Sequence, residues 1–220
     1  MKRSIVWIFG LLFVSCISTE LVDYWKNPEF DSYHPNKILV VGITPNIEAR
    51  QEFEQKLKQE FILRGMVTEK SLDFLDSTFG NEEKTEEQLN ELENKLLEEG
   101  FDTIFLTKII GIENKVAYRD YGNQNESYRS FKDDFYRNQD IYYKTNYYDS
   151  YTVYHAETTV YCFCPSKDRE LIWKGYIDII DPQSIEETVN DYIKLITAVL
   201  EEQQIINSLD GIIESKDAIN

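Results

Sequence analysis

Lys37–Thr44, KILVVGIT, is the stretch that decides the fold. It is a continuous apolar run of strand length, not an alternating one, and strands that read this way are covered on both faces. Pro45-Asn46 then breaks the run. Asn46 suits a helix cap, and behind it Ala49, Phe53, Leu57 and Phe61 recur every four residues along one stripe until Gly65, after Arg64, supplies a stop. Met66–Leu75, MVTEKSLDFL, reads as a second strand or an irregular segment.

Thr85-Glu86-Glu87-Gln88 has capping-box spacing and opens a helix with Leu89, Leu92 and Leu96 on one face and Gly100 at its end. Its many glutamates read as a solvated face. Phe101–Tyr118 is then a long strand in which Gly111 marks a bulge. Tyr151–Cys164 and Glu170–Ile180 form an antiparallel pair joined by Pro165–Arg169. Ser184-Ile185-Glu186-Glu187 is a second capping box, and Ile185, Val189, Ile193, Ile196 and Leu200 follow at helical spacing. The alternation predicts an α+β fold, an α/β-like sandwich of one mixed β-sheet of about 4–6 strands with two or three helices packed on it. A single domain covers 37–207, and 208–220 is a polar C-terminal tail.

Upstream, Lys2 and Arg3 precede the apolar run Ile5–Val14, the charged start and short apolar core of a secretory signal. That run is too short to span a bilayer. Phe13-Val14-Ser15-Cys16 resembles a bacterial lipobox, although leucine is commoner where Phe13 stands. The resemblance implies that 1–15 is a lipoprotein signal peptide and that Cys16 becomes a lipidated amino terminus carrying diacylglycerol and a further acyl chain such as palmitate. The alternative is an ordinary signal peptide with an incidental cysteine. One acyl chain anchors marginally, whereas several, at about 0.8 kcal/mol per buried methylene, hold firmly. Ile17 in place of an acidic residue implies the outer membrane, with the domain in the periplasm. Residues 16–36 read as a lipidated tether, partly docked, because Tyr24, Trp25, Phe30 and Tyr33 make it too aromatic for a flexible linker; Val22–Pro28 is the part expected on the domain.

The net charge is −17, and loss of Lys2 and Arg3 with the leader leaves 21 basic against 40 acidic side chains, about −19. Without clustered Lys and Arg the chain is a poor nucleic-acid binder, and its field repels anionic lipid, so the membrane attachment expected here runs through the N-terminal lipid.

Val22-Asp23-Tyr24-Trp25-Lys26-Asn27-Pro28, then KILVVGIT with Arg50, Phe53, Glu54 and Gly65, then Phe101-Asp102-Thr103-Ile104 resemble small bacterial envelope lipoproteins to which no reaction is assigned. The domain also resembles the αβ sandwich of the TolB amino-terminal domain. These resemblances imply location and fold, not an activity.

Chemistry is sparse. Cys162 and Cys164 share one strand face with Tyr154, Ala156, Thr158 and Val160; buried free thiols are the expectation, since an i, i+2 bridge along a strand is strained. His155 and Glu157 alternate onto the other face, which removes a common zinc site. His34 and His155 are the only histidines. His155 with Glu157 could serve as a general base, yet no nucleophile elbow or phosphate-binding loop accompanies them. No cofactor is expected. Arg50 and Glu54, four apart, read as a structural pair, with a ligand contact at the sheet edge as the other reading.

The most suggestive segment is the excursion 118–151. It holds Tyr118, Tyr121, Tyr128, Tyr136, Tyr142, Tyr143, Tyr147, Tyr148 and Tyr151 with Phe131 and Phe135, and its charge is nearly balanced. Tyrosine offers rigid amphipathic contact area at low entropic cost, which suits recognition of an envelope protein or glycan through Tyr142, Tyr143, Tyr147 and Tyr148. The competing reading is that these rings only fasten a long loop to the sheet. The function expected is a noncatalytic, membrane-anchored envelope lipoprotein that binds a partner. Enzymes acting on envelope lipid or polysaccharide, and structural subunits of an envelope assembly, are the alternatives; the oligomeric state is open.

Overall fold

The computed structural model describes residues 18–75, 83–116, 130–144, 150–163 and 170–209. KILVVGI is strand β2 (Lys37–Ile43), and its two faces are buried in different cores: Ile38 and Val40 in one, Leu39 in the other. Helix α1 (Ile47–Leu63) follows, capped by the Asn46 side chain on the N–H of Ala49. It ends at Gly65, whose φ of 82° is the left-handed turn a helix stop needs. The stretch behind it divides into strand β3 (Val67–Lys70) and the short helix α2 (Ser71–Phe74). Helix α3 (Glu86–Glu98) opens on the capping box, with Thr85 and Gln88 bonding reciprocally.

Strand β4 (Thr103–Val116) lies parallel to β2, as β3 does on its other side. β4 pairs antiparallel with β5 (Ser150–Cys162), and β5 with β6 (Leu171–Ile180). The chain closes with α6 (Ile185–Glu202), capped by Ser184 on the N–H of Glu187. Thr19–Lys26, within the segment read as a tether, is strand β1, antiparallel to the edge of β6. Its backbone completes a six-stranded mixed sheet in the order β1-β6-β5-β4-β2-β3. Beyond it, Phe30 and Tyr33 meet edge to face, and the Tyr33 hydroxyl bonds Thr103 Oγ1 at 2.8 Å.

Helices α1 and α6 cover one sheet face. Phe53, Leu57 and Phe61 from α1 and Ile193, Ile196 and Leu200 from α6 meet Phe105, Ala156, Val160 and Ile177 in a continuous core. Burying one such side chain contributes about 1.5–3 kcal/mol. At the amino ends of β2 and β4, Arg64, only 4% exposed, bonds Glu60 at 2.6 Å and Glu201 at 2.7 Å and so joins the two helices. The second face is covered over β2, where Leu96, Phe101 and Phe163 pack on Leu39. Over β4, β5 and β6 it carries ion pairs instead.

One expectation on β4 is met and one on β5 is overturned. The register shifts between Ile109 and Gly111, which confirms the bulge and turns Ile112 to the helix side. Cys162 is fully buried and disulfide-bonded, so it is not the free thiol expected; the other half of the bridge lies outside the described residues.

Candidate functional site

Strands β2, β4 and β6 run in one direction, so α1 and α6 both begin at their carboxyl edge. The stripe that fills the core lower down with Phe53, Leu57 and Phe61 reaches this edge as Ala49, too small to close the gap to α6. A cleft results. Its inner chamber, about 100 Å³, lies over Thr107, Ala156 and Tyr192, and its outer chamber, about 460 Å³, is bounded by Ile112, Tyr154, Ile179 and Pro182. The two share Ala49, Ile109, Thr188 and Val189 among their walls.

Below the inner chamber three hydroxyls form a chain: Thr107 Oγ1 to Thr158 Oγ1 at 2.7 Å, and Thr158 Oγ1 to the Tyr192 hydroxyl at 2.6 Å. Burial pushes the Tyr192 phenol up to about 12, so it stays neutral. Arg50 lines the inner chamber, and its charge is already engaged. Its Nε donates to Glu54 Oε1 at 3.0 Å and its Nη2 to Ser71 Oγ at 2.9 Å. Glu54, with no exposed surface, also accepts from Gly42 N–H, Ser71 Oγ and Leu72 N–H. The pair expected from the spacing forms, with the carboxylate far more buried than surface spacing implies. Among the described residues lining the cleft there is no Asp, Glu, His, Cys or Lys, so its walls offer contact area but no strong acid or base.

The open sheet face has the titratable groups. His155 pairs with Asp178, Nδ1 to Oδ1 at 2.6 Å, and has Glu113 at 3.6 Å from Nε2. Gly111 opposite makes room: a Cβ there would stand 3.3 Å from the imidazole Cδ2. Glu157 does not pair with His155, as the general-base alternative requires; the β4–β5 register places it opposite Lys108, at 2.7 Å. Burial raises the Glu157 carboxyl, but the hydrogen bond and charge of Lys108, with Tyr176 and Lys174, outweigh that and hold it below the usual carboxylate value. Among the described residues no three His, Cys, Asp or Glu side chains could hold a metal ion.

The third region is the arm on the β4–β5 hairpin. Within it Ser130 caps helix α4 (Phe131–Asn138), and α5 (Asp140–Tyr143) follows. Phe131 is 84% exposed, Tyr136 60% and Tyr143 74%, with Phe135 also exposed. Of the residues expected to bind a partner, Tyr143 is thus at the surface and Tyr142 belongs to α5, while Tyr147 and Tyr148, like Cys16, lie outside the described residues. The structure does not bring Arg50 to the arm: it lies in the cleft wall.

No described helix is long and apolar enough to cross a membrane. The sequence matches no family model and no curated protein. Among solved structures, PelC of Paraburkholderia phytofirmans, a dodecamer, is similar at 8% identity over 84% of this chain and 97% of that one, with a TM-score of 0.44. Lipoprotein GNA1162 of Neisseria meningitidis is similar at 14% identity over 76% of this chain and 97% of that one, with a TM-score of 0.40.

Proposed function

We propose that the protein is a lipid-anchored lipoprotein of the bacterial envelope, held through Cys16 at the outer membrane with its domain in the periplasm, and that it binds a protein or glycan through the aromatic arm without catalysing a reaction. The observation that carries this reading is the row of exposed rings on α4 and α5, Phe131, Phe135, Tyr136 and Tyr143, set on a hairpin that runs past the body of the sheet. Large rings left in water on a short helix are contact area awaiting a partner. The leader, the lipobox and the start of β1 only three residues after Cys16 support the anchor.

The test is crosslinking of the membrane-bound protein in its native cells, followed by mass spectrometry. A variant with Phe131, Tyr136 and Tyr143 replaced by serine loses its specific partners, and Cys16→Ala loses them together with the membrane. Unchanged partners in the serine variant would remove the arm from the proposal.

A second reading, an enzyme acting on envelope lipid or polysaccharide, draws on the 2.6 Å bond between Asp178 and His155, the arrangement that orients a general base. Turnover of such a substrate, abolished in His155→Ala, would favour it over the binding module.

A further inference from the structure

We infer that the carboxyl edge of the sheet faces the bilayer and that the cleft opening there receives one acyl chain of a neutral or zwitterionic bilayer phospholipid; the inference rests on the reading of Cys16 as the lipid anchor. Strand register supplies the geometry. Thr19 is paired with Ile179, Ile179 with Tyr154, and Tyr154 with Ile112, so these four residues stand at one level across β1, β6, β5 and β4. Three of them, Ile112, Tyr154 and Ile179, wall the outer chamber.

Cys16 is three residues from Thr19 in the sequence, a reach of about 10 Å at most at ~3.4 Å per residue. Val116, the last residue of β4, is four residues beyond Ile112 on the hairpin. The anchor, the root of the aromatic arm and the mouth of the cleft therefore share one edge. A body tied that closely cannot turn the edge far from the surface its anchor enters.

The walls define the ligand. Outer and inner chambers of about 460 and 100 Å³ have the capacity of a small-molecule site, and Ile109, Ile112, Ile179 and Val189 give it apolar sides. Each hydroxyl at the floor already has a partner in the Thr107–Thr158–Tyr192 chain, so an aliphatic chain entering there breaks none of those bonds. Head-group preference follows from charge. The cation in the wall, Arg50, is neutralised by buried Glu54, and the first turns of α1 and α6 at the rim carry Glu48, Glu186 and Glu187. An anionic head group meets like charge at that rim.

The experiment uses the full-length protein reconstituted in vesicles of phosphatidylcholine carrying a photoactivatable group in its acyl chain, with labelled residues mapped by mass spectrometry. Labelling is expected at Ile109, Ile179 and Val189. It should fall about tenfold in Ala49→Trp and in Thr188→Phe, two wall substitutions on different helices, each checked for an unchanged circular dichroism spectrum. Unlabelled phosphatidylcholine should compete better than phosphatidylglycerol. Labelling confined to the arm, or unchanged in both wall variants, would overturn the inference. Labelling that appears only in Cys16→Ala would also overturn it, because the anchor's own chain would then be the occupant. The intact mass of the wild-type protein reports acylation separately: an unacylated Cys16 sinks the anchor reading, while the same labelling of Cys16→Ala in detergent still reads the cleft.

Discussion

The two faces of the sheet use the same strands differently. Toward α1 and α6 a carboxylate is enclosed and fully matched: Glu54 collects donors from Gly42, Arg50, Ser71 and Leu72. Toward the open side, His155, Asp178, Glu113, Lys108 and Glu157 form pairs that water reaches. An ion pair in the first environment is part of the core's integrity; in the second it is close to dispensable. Similar distances conceal a large difference in consequence.

The strongest way to break this comparison is Glu54→Leu. It leaves the Arg50 guanidinium and the N–H groups of Gly42 and Leu72 without their acceptor, and should cost about 3–5 kcal/mol, read as a fall in the urea midpoint at constant slope. A loss no greater than that of an open-face variant would erase the distinction.

Alkaline pH probes the helix face more gently. Burial, foremost, pushes both the Tyr33 and the Tyr192 phenols up to about 12 from an ordinary 10.0. With the folded value raised, their contribution is complete below pH 10 and is lost as the pH climbs toward 12, by about 1.4 kcal/mol per unit for a fully enclosed phenol. Tyr192→Phe should flatten that alkaline decline, and an unchanged slope would show that the phenol ionises freely.

The smallest effect belongs to the open face. Lys108→Ala should cost less than about 1 kcal/mol at neutral pH. Because the Glu157 carboxyl is held below its ordinary 4.5, its contribution is present above that value and is lost as the pH falls through the lowered one. The variant should therefore lose less stability on acidification than the parent. A cost comparable to that of Glu54→Leu would mean that the open face is as enclosed as the other.

What was legible in the sequence was what is local. The double burial of Lys37–Thr44, the Asn46 cap, the Thr85–Gln88 box and the Gly65 stop all depend on neighbours within one turn of chain, and each stands where the residues indicate. The pairing of His155 was not legible, since Asp178 reaches it only through the β5–β6 register, whereas Glu157, the one candidate partner near it in sequence, is bound to Lys108. Recruitment of Thr19–Lys26 into the sheet was equally hidden, because its residues are mostly exposed and their strand identity comes from backbone pairing with β6. Ala49 was read as one more member of a core stripe. Only the separation of two helices far apart in sequence makes it the opening of a cleft.

The bulge between Ile109 and Gly111 has a consequence for how this protein can change in length. Alternation in a strand has a period of two, so one extra residue shifts everything beyond it by half a cycle. The outer hairpin is thus out of phase with the inner sheet, and both Ile112 in the cleft wall and Gly111 beneath His155 depend on that offset. Insertion or deletion of two residues in β4 at this point, matched in β5, conserves which side each group faces; a change of one exchanges the sides. Parity, more than length, is what a drifting sequence has to preserve here.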